Sequence, residues 1–333
     1  MVLAAGLGTR MRPLSLLKAK PALPVLNRPL IHWTLELLAR HGVKEVMVNL
    51  HHLPSTVMRA VGDGAAFGLR VSYSRERRIL GTGGGPRRVR EFLGDEPFLL
   101  VNGDVVFDFD LTDLVRRHNA SGARATLALC ENPDVRRYGA VTTGPGGWIQ
   151  AFGGHAPSRN GAGAFFAGIH VMDPALLDRL PPGPSDSVRD LYIPLIRERG
   201  RVLGVRVRGP WYDFGNPSLY LSSQVAMLRS GFRGLEVDTL IHPRARVHPD
   251  SWIRRCVIGP DTVVEAGSVL KESVVWDRVR IGASATVRCC VLATGTRVHA
   301  HERAEKLVVV PAGGRARTAA RSRGRRYELG TSA

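Results

Sequence analysis

Cysteine is scarce in this chain of 333 residues. There are four, at 130, 256, 289 and 290, with neither zinc-ligand spacing nor the density of a disulfide scaffold. Their expected role is that of small buried hydrophobes in a reducing compartment. Long apolar runs are missing too. None approaches the roughly 20 residues that span a bilayer, and no basic stretch precedes the short apolar segment at the N-terminus. Neither a membrane partner nor a secretory leader is expected, and the expected location is cytoplasmic. Acidic residues are outnumbered, 29 against 47 basic, for a net charge of +18. Lysine is nearly absent, with five among the 47.

Clustered positive charge is the footprint of nucleic-acid binding. Here the excess follows a bias toward arginine rather than a basic stripe, and six arginines fall between 315 and 326 in a Gly/Ala/Ser/Arg-rich stretch. Residues 312–333 are therefore expected to be a basic disordered tail, with weak contacts to anions at most and no specific nucleic-acid partner. The same bias makes Lys20 informative. It is one of three lysines (18, 20, 44) in the first 230 residues, and a position held as lysine suits a compact, movable ammonium.

The length suffices for two domains, and an apolar content of 44% fits a globular protein. Short apolar strands at 46–50, 69–73, 98–101 and 125–129 alternate with helical patterns, which argues βαβ units and a mostly parallel sheet. Pro29 opens a helix with Ile31, Leu35 and Leu38 on one face, ending near Gly42, and Asp110 caps another through Leu111, Leu114 and Val115. Leu219 to Leu228 reads as a helix joining the domains, with Gly231 and Gly234 punctuating the boundary. From about 240 a six-residue beat takes over: Ile241, Val247, Ile253, then Val257, Val263, Val269, Val275, Ile281 and Val287, with Gly259, Gly267 and Gly282 between them. That beat marks a parallel β-helix, with room for three or four coils before Pro311.

The chemistry concentrates at the start, Leu3-Ala4-Ala5-Gly6-Leu7-Gly8-Thr9-Arg10-Met11-Arg12-Pro13, followed by Lys20-Pro21. Two glycines let the backbone approach phosphate oxygens, exposed amides supply donors, and Arg10, Arg12 and Lys20 supply positive charge. A dinucleotide fingerprint is excluded because Met11 stands where its third glycine belongs, and a P-loop because Gly-Lys-Ser/Thr never occurs. The loop falls at the carboxyl end of a strand, where open α/β sheets place ligands. That strand has only three or four residues after Met1, so either it is short or the natural start lies upstream.

This opening resembles that of the sugar-1-phosphate nucleotidyltransferases. The likeness continues in family order through Leu80-Gly81-Thr82-Gly83-Gly84-Gly85, Val101-Asn102-Gly103-Asp104, Arg137-Tyr138-Gly139, Ala167-Gly168-Ile169-His170-Val171 and Trp211-Tyr212-Asp213-Phe214-Gly215-Asn216-Pro217, over roughly the first 230 residues. It implies a Rossmann-like catalytic domain over 1–234. A short left-handed β-helix of hexapeptide repeats, like that found after many such domains, would follow over 235–311.

The resemblance further implies that a sugar phosphate oxygen attacks the α-phosphorus of a nucleoside triphosphate and expels pyrophosphate, with Mg²⁺ as cofactor. By the same resemblance Arg10 grips the β- and γ-phosphates, and Lys20 reaches the α-phosphate or the sugar phosphate. Leu3, Ala4, Ala5, Gly6, Gly8, Thr9, Gly81, Thr82, Gly83 and Asn102 contact the nucleotide, Tyr138, Gly139 and Gly168 the sugar, and Asp104 and Asp213 the metal. The implied partners are GTP, UTP or dTTP, a sugar 1-phosphate, and further copies of the chain.

The family's mid-chain Glu-Lys-Pro is replaced by Phe152-Gly153-Gly154-His155-Ala156-Pro157, which shifts sugar-phosphate recognition to groups such as His155 or Arg159. That departure and Thr82-Gly83-Gly84-Gly85 resemble a branch that includes N-acetylmuramate-1-phosphate uridylyltransferases, whereas the β-helix resembles that of mannose-1-phosphate guanylyltransferases. GDP-mannose synthesis is the first expectation. Uridylyl or thymidylyl transfer to N-acetylmuramate or glucose 1-phosphate, and a non-catalytic subunit that binds NDP-sugar, are the alternatives. An acyltransferase in the β-helix, using His242, His248, His299 or His301, is weighed below a packing and oligomerisation role.

Overall fold

The computed structural model describes residues 1–131, 135–153, 164–235, 237–312 and 324–330. The chain divides into two compact units, Met1–Gly6 with Ile31–Trp211, and Leu7–Leu30 with Tyr212–Ala333. The compact units cut the chain elsewhere than the 234/235 boundary that the resemblance implies. Leu7–Leu30 and the helix from Pro217 group with the hexapeptide half.

The first unit is built on a nine-stranded sheet. Val2–Leu3 lies at its centre, parallel to Glu45–Leu50 on one side and Phe98–Asn102 on the other, and Arg70–Arg75 continues the parallel set. Ala164–Met172 then runs antiparallel to both Phe98–Asn102 and Ala125–Glu131, and Val202–Arg206 closes that edge parallel to Ala125–Glu131. A hairpin of Ala140–Thr143 and Ile149–Phe152 pairs with the first residues of Ala164–Met172. The sheet is therefore mostly parallel, as the alternation of strands and helices predicts. The helix expected after Pro29 spans Leu30–Arg40. Asp110 caps Leu111–Ser121 by accepting from the Asp113 N–H at 3.0 Å, which satisfies one of the donors a helix start leaves open.

The hexapeptide half forms a parallel β-helix. Leu240 pairs with Val257, Val257 with Val274, Val274 with Val291 and Val291 with Val308, so each coil advances seventeen residues rather than eighteen. A strict six-residue beat therefore slips by one position per coil. The core positions are Ile258, Val264 and Leu270, then Val275, Ile281 and Val287, then Leu292, Val298 and Ala304. Of the residues read from the six-residue beat, Val275, Ile281 and Val287 are core, while Val257, Val263 and Val269 each stand one position before it. The shortened step falls at a corner where Arg255, Glu272, Cys289 and Lys306 repeat a positive φ. Positive φ recurs at the six-residue corners too, at Asp261 and Arg278 and at Ser284 and His301, so left-handed turns are common to all three corners and the stacked core offsets their strain.

The cysteines behave as their scarcity suggests. All are free, and Cys130, Cys256 and Cys290 are buried. Burial pushes the Cys256 thiol up to about 12 and Cys290 up to about 11, which suppresses the reactive thiolate. The expected disordered tail is corrected in one place. Arg325–Glu328 forms a strand antiparallel to Leu307–Val310, where it covers an otherwise open sheet edge. Among the described residues no helix is long and apolar enough to cross a membrane.

One buried pair sets a pH dependence. His170, in strand Ala164–Met172, is 1% exposed and hydrogen-bonds the Tyr192 hydroxyl through Nδ1. Burial holds its pKa down to about 3. The unfolded chain gains this proton below about pH 6.5, while the folded state stays neutral until about 3, so stability present above pH 6.5 is lost as pH falls through that window. Urea denaturation should show a loss of about 2 kcal/mol from this group between pH 7 and pH 5, and His170→Gln should remove that part of the pH dependence.

Candidate functional site

In the first unit the carboxyl ends of the central strands gather several of the expected residues. Leu3 lies opposite Asn49 and Asn102 in register. The turn that follows Asn102 is set by Gly103, whose N–H donates to the Leu3 carbonyl at 2.9 Å. A Cβ at Gly103 would lie 2.6 Å from that oxygen, so only glycine allows the approach that places Asp104 just past the strand end. Asp104 is half-buried there. Gly168, at φ +80°, fills the space beside Asn102: a Cβ would come within 2.6 Å of the Asn102 Nδ2. Tyr138 stacks on Phe165 at 4.7 Å and meets Trp211 edge-on at 5.0 Å, while the Trp211 Nε1–H donates to Ala167 O at 3.1 Å. Tyr138 thus serves as a packing element of this aromatic cluster.

A buried polar relay, missed in the sequence, organises this end of the sheet. The Ala4 N–H donates to Asn49 Oδ1 at 2.7 Å, Asn49 Nδ2 donates to Glu76 Oε1 at 2.8 Å, and the Leu80 N–H donates to Glu76 Oε2 at 2.8 Å. Asn49 and Glu76 are 2% and 5% exposed. The Ala4 donor fixes the orientation of the Asn49 amide, so both groups facing Glu76 are donors, and each of its side-chain oxygens accepts one hydrogen bond. The available signal was a lone Asn inside the apolar strand Glu45–Leu50.

The Gly81 to Gly85 stretch is helical rather than a loop, spanning Gly81–Arg88. Its glycines answer to packing. Cβ atoms at Gly81 and Gly84 would lie 2.4 Å from Ser185 O and 2.2 Å from Gly183 O, and one at Gly85 would lie 2.8 Å from Asn49 Nδ2. Thr82 Oγ1 accepts from the Ser187 N–H at 2.8 Å. The relay and the glycine helix together tie Ala4 to the start of Gly81–Arg88.

In the second unit, Gly8 is left-handed at φ +60° and accepts on its carbonyl from Ser15 Oγ at 2.7 Å. Short 3₁₀ turns at Thr9–Met11, Leu14–Leu16 and Lys20–Ala22 fold the segment back, so that a Cβ at Gly8 would lie 3.6 Å from the Lys20 Cβ. Arg10 and Arg12 are exposed, whereas Lys20 is 7% exposed. A buried lysine is uncommon, and this one is set in a rigid turn. Helix Pro217–Arg229 supports the segment from behind. Tyr220 donates its hydroxyl to Pro24 O and accepts from Trp276 Nε1 at 2.9 Å, Gln224 Oε1 accepts from the Leu26 N–H at 2.9 Å, and Asn27 Nδ2 donates to Ile258 O at 2.8 Å. Burial raises the Tyr220 pKa far above its usual value, so the hydroxyl stays a neutral donor.

Asp213 precedes the same helix. Its backbone carbonyl accepts from Ser223 Oγ at 2.7 Å, and its carboxylate oxygens lie 3.0 and 3.1 Å from where a Cβ on Gly215 would stand. The second unit therefore brings together Gly8 and Lys20 and holds Asp213 just before helix Pro217–Arg229, and the first unit brings together Leu3, Ala4, Asn102, Asp104 and Gly168. Gly139 is left-handed at φ +82° with open space beside it. His155 and Arg159 lie outside the described residues. His242 and His248 accept from the Arg244 and Asp250 N–H groups of their own turns. Among the described residues no three His, Cys, Asp or Glu side chains form a metal-ligating group.

Comparison with known proteins is specific. Residues 1–230 match the family described as nucleotidyl transferase, and residues 235–318 match the GMPPB C-terminal domain. A UTP–glucose-1-phosphate uridylyltransferase of Synechocystis sp. is 28% identical over 350 residues, covering 90% of this chain and 89% of the relative. A mannose-1-phosphate guanylyltransferase of Mycobacterium tuberculosis is 30% identical over 295 residues, covering 86% and 82%. Among solved structures, HddC from Yersinia pseudotuberculosis has a TM-score of 0.59 at 20% identity, covering 68% of this chain and 97% of that one, a likeness of fold.

Glu76→Gln tests the relay. One amide N–H₂ must then face the Asn49 or Leu80 donor, and denaturation should show a loss of about 1–3 kcal/mol. Glu76→Asp, which keeps two acceptors, should lose less.

Proposed function

The chain belongs to the nucleotidyl transferase family, and from that membership we propose that it joins a nucleoside triphosphate to a sugar 1-phosphate, giving an NDP-sugar and pyrophosphate. The observation that carries this reading is the ordered set of motifs, with Lys20 buried in a rigid turn beside Gly8 and Asp104 set at a strand end by Gly103. A sugar phosphate oxygen attacks the α-phosphorus, forming one P–O bond as the bond to the β-phosphate oxygen breaks, and the electron pair leaves with pyrophosphate. Both reactants are anionic, so the task of the protein is to position them and to offset charge. Arg10, exposed and forked, suits the β- and γ-phosphates. Lys20, a compact ammonium on a buried side chain, suits the α-phosphate or the sugar phosphate. Backbone groups of Leu3 to Gly6, with Gly8, Thr9, Gly81, Thr82, Gly83 and Asn102, are assigned to the nucleotide, and Tyr138, Gly139 and Gly168 to the sugar.

Asp104 and Asp213 are the proposed Mg²⁺ ligands. The donor set fits: Mg²⁺ takes one or two carboxylates and completes its octahedron with phosphate oxygens and water. Gly215 also leaves the Asp213 carboxylate room that a Cβ would fill. When bound, the metal lowers the charge on the transferring phosphoryl group. The protein is proposed to act in the cytoplasm and to assemble as a homo-oligomer through its β-helix half.

GTP with mannose 1-phosphate is the first pair proposed, supported by the match of residues 235–318 to the GMPPB C-terminal domain and by the mycobacterial relative. UTP with glucose 1-phosphate is the second, supported by the cyanobacterial relative that spans nearly the whole chain. A pyrophosphate-release assay over GTP, UTP and dTTP against mannose, glucose and N-acetylmuramate 1-phosphates should single out one pair, dependent on Mg²⁺. Asp104→Asn and Lys20→Met should each lower kcat/KM for that pair by about 10²-fold or more. If no pair releases pyrophosphate while an NDP-sugar raises the melting temperature, the chain is a binding subunit and the transferase reading fails.

A further inference from the structure

Four arginines with no part in the assigned site, Arg77, Arg78, Arg87 and Arg88, line a cavity of about 740 Å³ in the first compact unit. No acidic and no aromatic side chain lines it. Elsewhere in that unit surface arginines meet carboxylates, as Arg40 does with Asp108, Arg124 with Asp173 and Arg179 with Glu198. None of these four makes a side-chain hydrogen bond or ion pair with a described residue, and the Nε of Arg87 is sealed from solvent without a partner. Like charges gathered without a counter-charge repel one another, and a multivalent anion relieves that cost.

The cavity wall is also shaped. Helix Gly81–Arg88 lies so close to the turn at Gly183 that a Cβ on Gly84 would stand 2.2 Å from Gly183 O. A Cβ on Gly183, at φ +100°, would stand 3.3 Å from Arg78 Nη2. The two glycines thus bring the helix end that carries Arg87 and Arg88 against the turn, and they leave the Arg78 guanidinium its place beside the bare backbone.

We propose that this cavity binds a small, non-nucleotide polyanion of the phosphate class, carrying at least two negative charges. Guanidinium forks match phosphate oxygens two at a time. With no aromatic face to stack a base and no acid to accept from sugar hydroxyls, the recognised feature is the anionic group itself. Arg77 and Arg78 stand in the chain between Glu76 and Leu80, the two ends of the carboxylate contact, and Arg87 and Arg88 end the helix that begins at Gly81. An anion held by all four clasps residues 76–88 together. Its influence on nucleotide binding rests on the assignment of Gly81, Thr82 and Gly83 proposed above, whereas the binding does not.

Titration calorimetry on the whole chain, at low salt with EDTA and inorganic pyrophosphate as probe, tests the site. The double variant Arg87→Gln/Arg88→Gln, and separately Arg77→Gln/Arg78→Gln, should weaken one pyrophosphate site by about tenfold or more. The melting temperature and the affinity for nucleoside triphosphate should stay unchanged. Pyrophosphate binding retained at full strength in both folded variants would overturn the proposal, as would equal loss of pyrophosphate and nucleotide binding. Tighter binding of a short single-stranded oligonucleotide, lost in the same variants, would make the patch a nucleic-acid contact and would also overturn it. Pyrophosphate bound at this site by a wild-type chain that binds no nucleotide would support it and count only against the transferase reading.

Discussion

A single buried carboxylate orders the carboxyl ends of the central strands in the first unit. Glu76 accepts from Asn49 and from the Leu80 backbone, and Asn49 in turn accepts from Ala4. Three segments far apart in the chain are thereby fixed to one another: the end of the central strand, the end of its parallel neighbour and the start of the glycine helix. A charged group costs several kcal/mol to bury unless its lone pairs are met. Here the donors are rigid backbone or an amide that is itself pinned. The same relay explains Gly85, since any side chain there would displace the Asn49 amide.

The second unit solves a different problem, which is how to keep a loop rich in positive charge from collapsing onto solvent-driven conformations. Leu7–Leu30 has almost no regular structure beyond three short 3₁₀ turns and a two-stranded hairpin of Pro24–Val25 with Arg28–Pro29. It borrows order from helix Pro217–Arg229 and from the β-helix, through Tyr220, Gln224, Trp276 and the Ile258 carbonyl. The β-helix is therefore more than a repeat array stacked on itself. Trp276 and Tyr220, both buried, form a hydrogen-bonded chain from a coil of the repeat to the turn just after Lys20. Such networks are stiff because every member is satisfied.

Glycine carries two meanings in this molecule. At Gly8, Gly81 and Gly168 the backbone is left-handed, and at Gly84 and Gly103 a carbonyl oxygen occupies the space of the missing side chain. Motifs that resemble phosphate loops by composition are thus in part devices for close packing of strand ends and helices. The nucleotide-facing role proposed for Gly81 to Gly83 and the packing role observed for them are compatible, because a segment held this tightly presents its exposed atoms in one arrangement.

Much was legible in the chain itself. The alternation of apolar strands with helical patterns, the Asp110 cap and the helix after Pro29 all follow from local rules that need no distant partner. The presence of a β-helix also follows, because a repeat leaves its period in the sequence. Its exact pitch does not. Seventeen residues per coil depend on how corner residues such as Glu272 and Cys289 turn, which is decided by stacking on the neighbouring coils. The burial of Lys20, the pairing of Arg325–Glu328 with Leu307–Val310, and the joint role of Asn49 and Glu76 are likewise tertiary outcomes. Each depends on groups brought together across long stretches of chain, and hydrogen bonds between such groups leave no periodic trace in a single sequence.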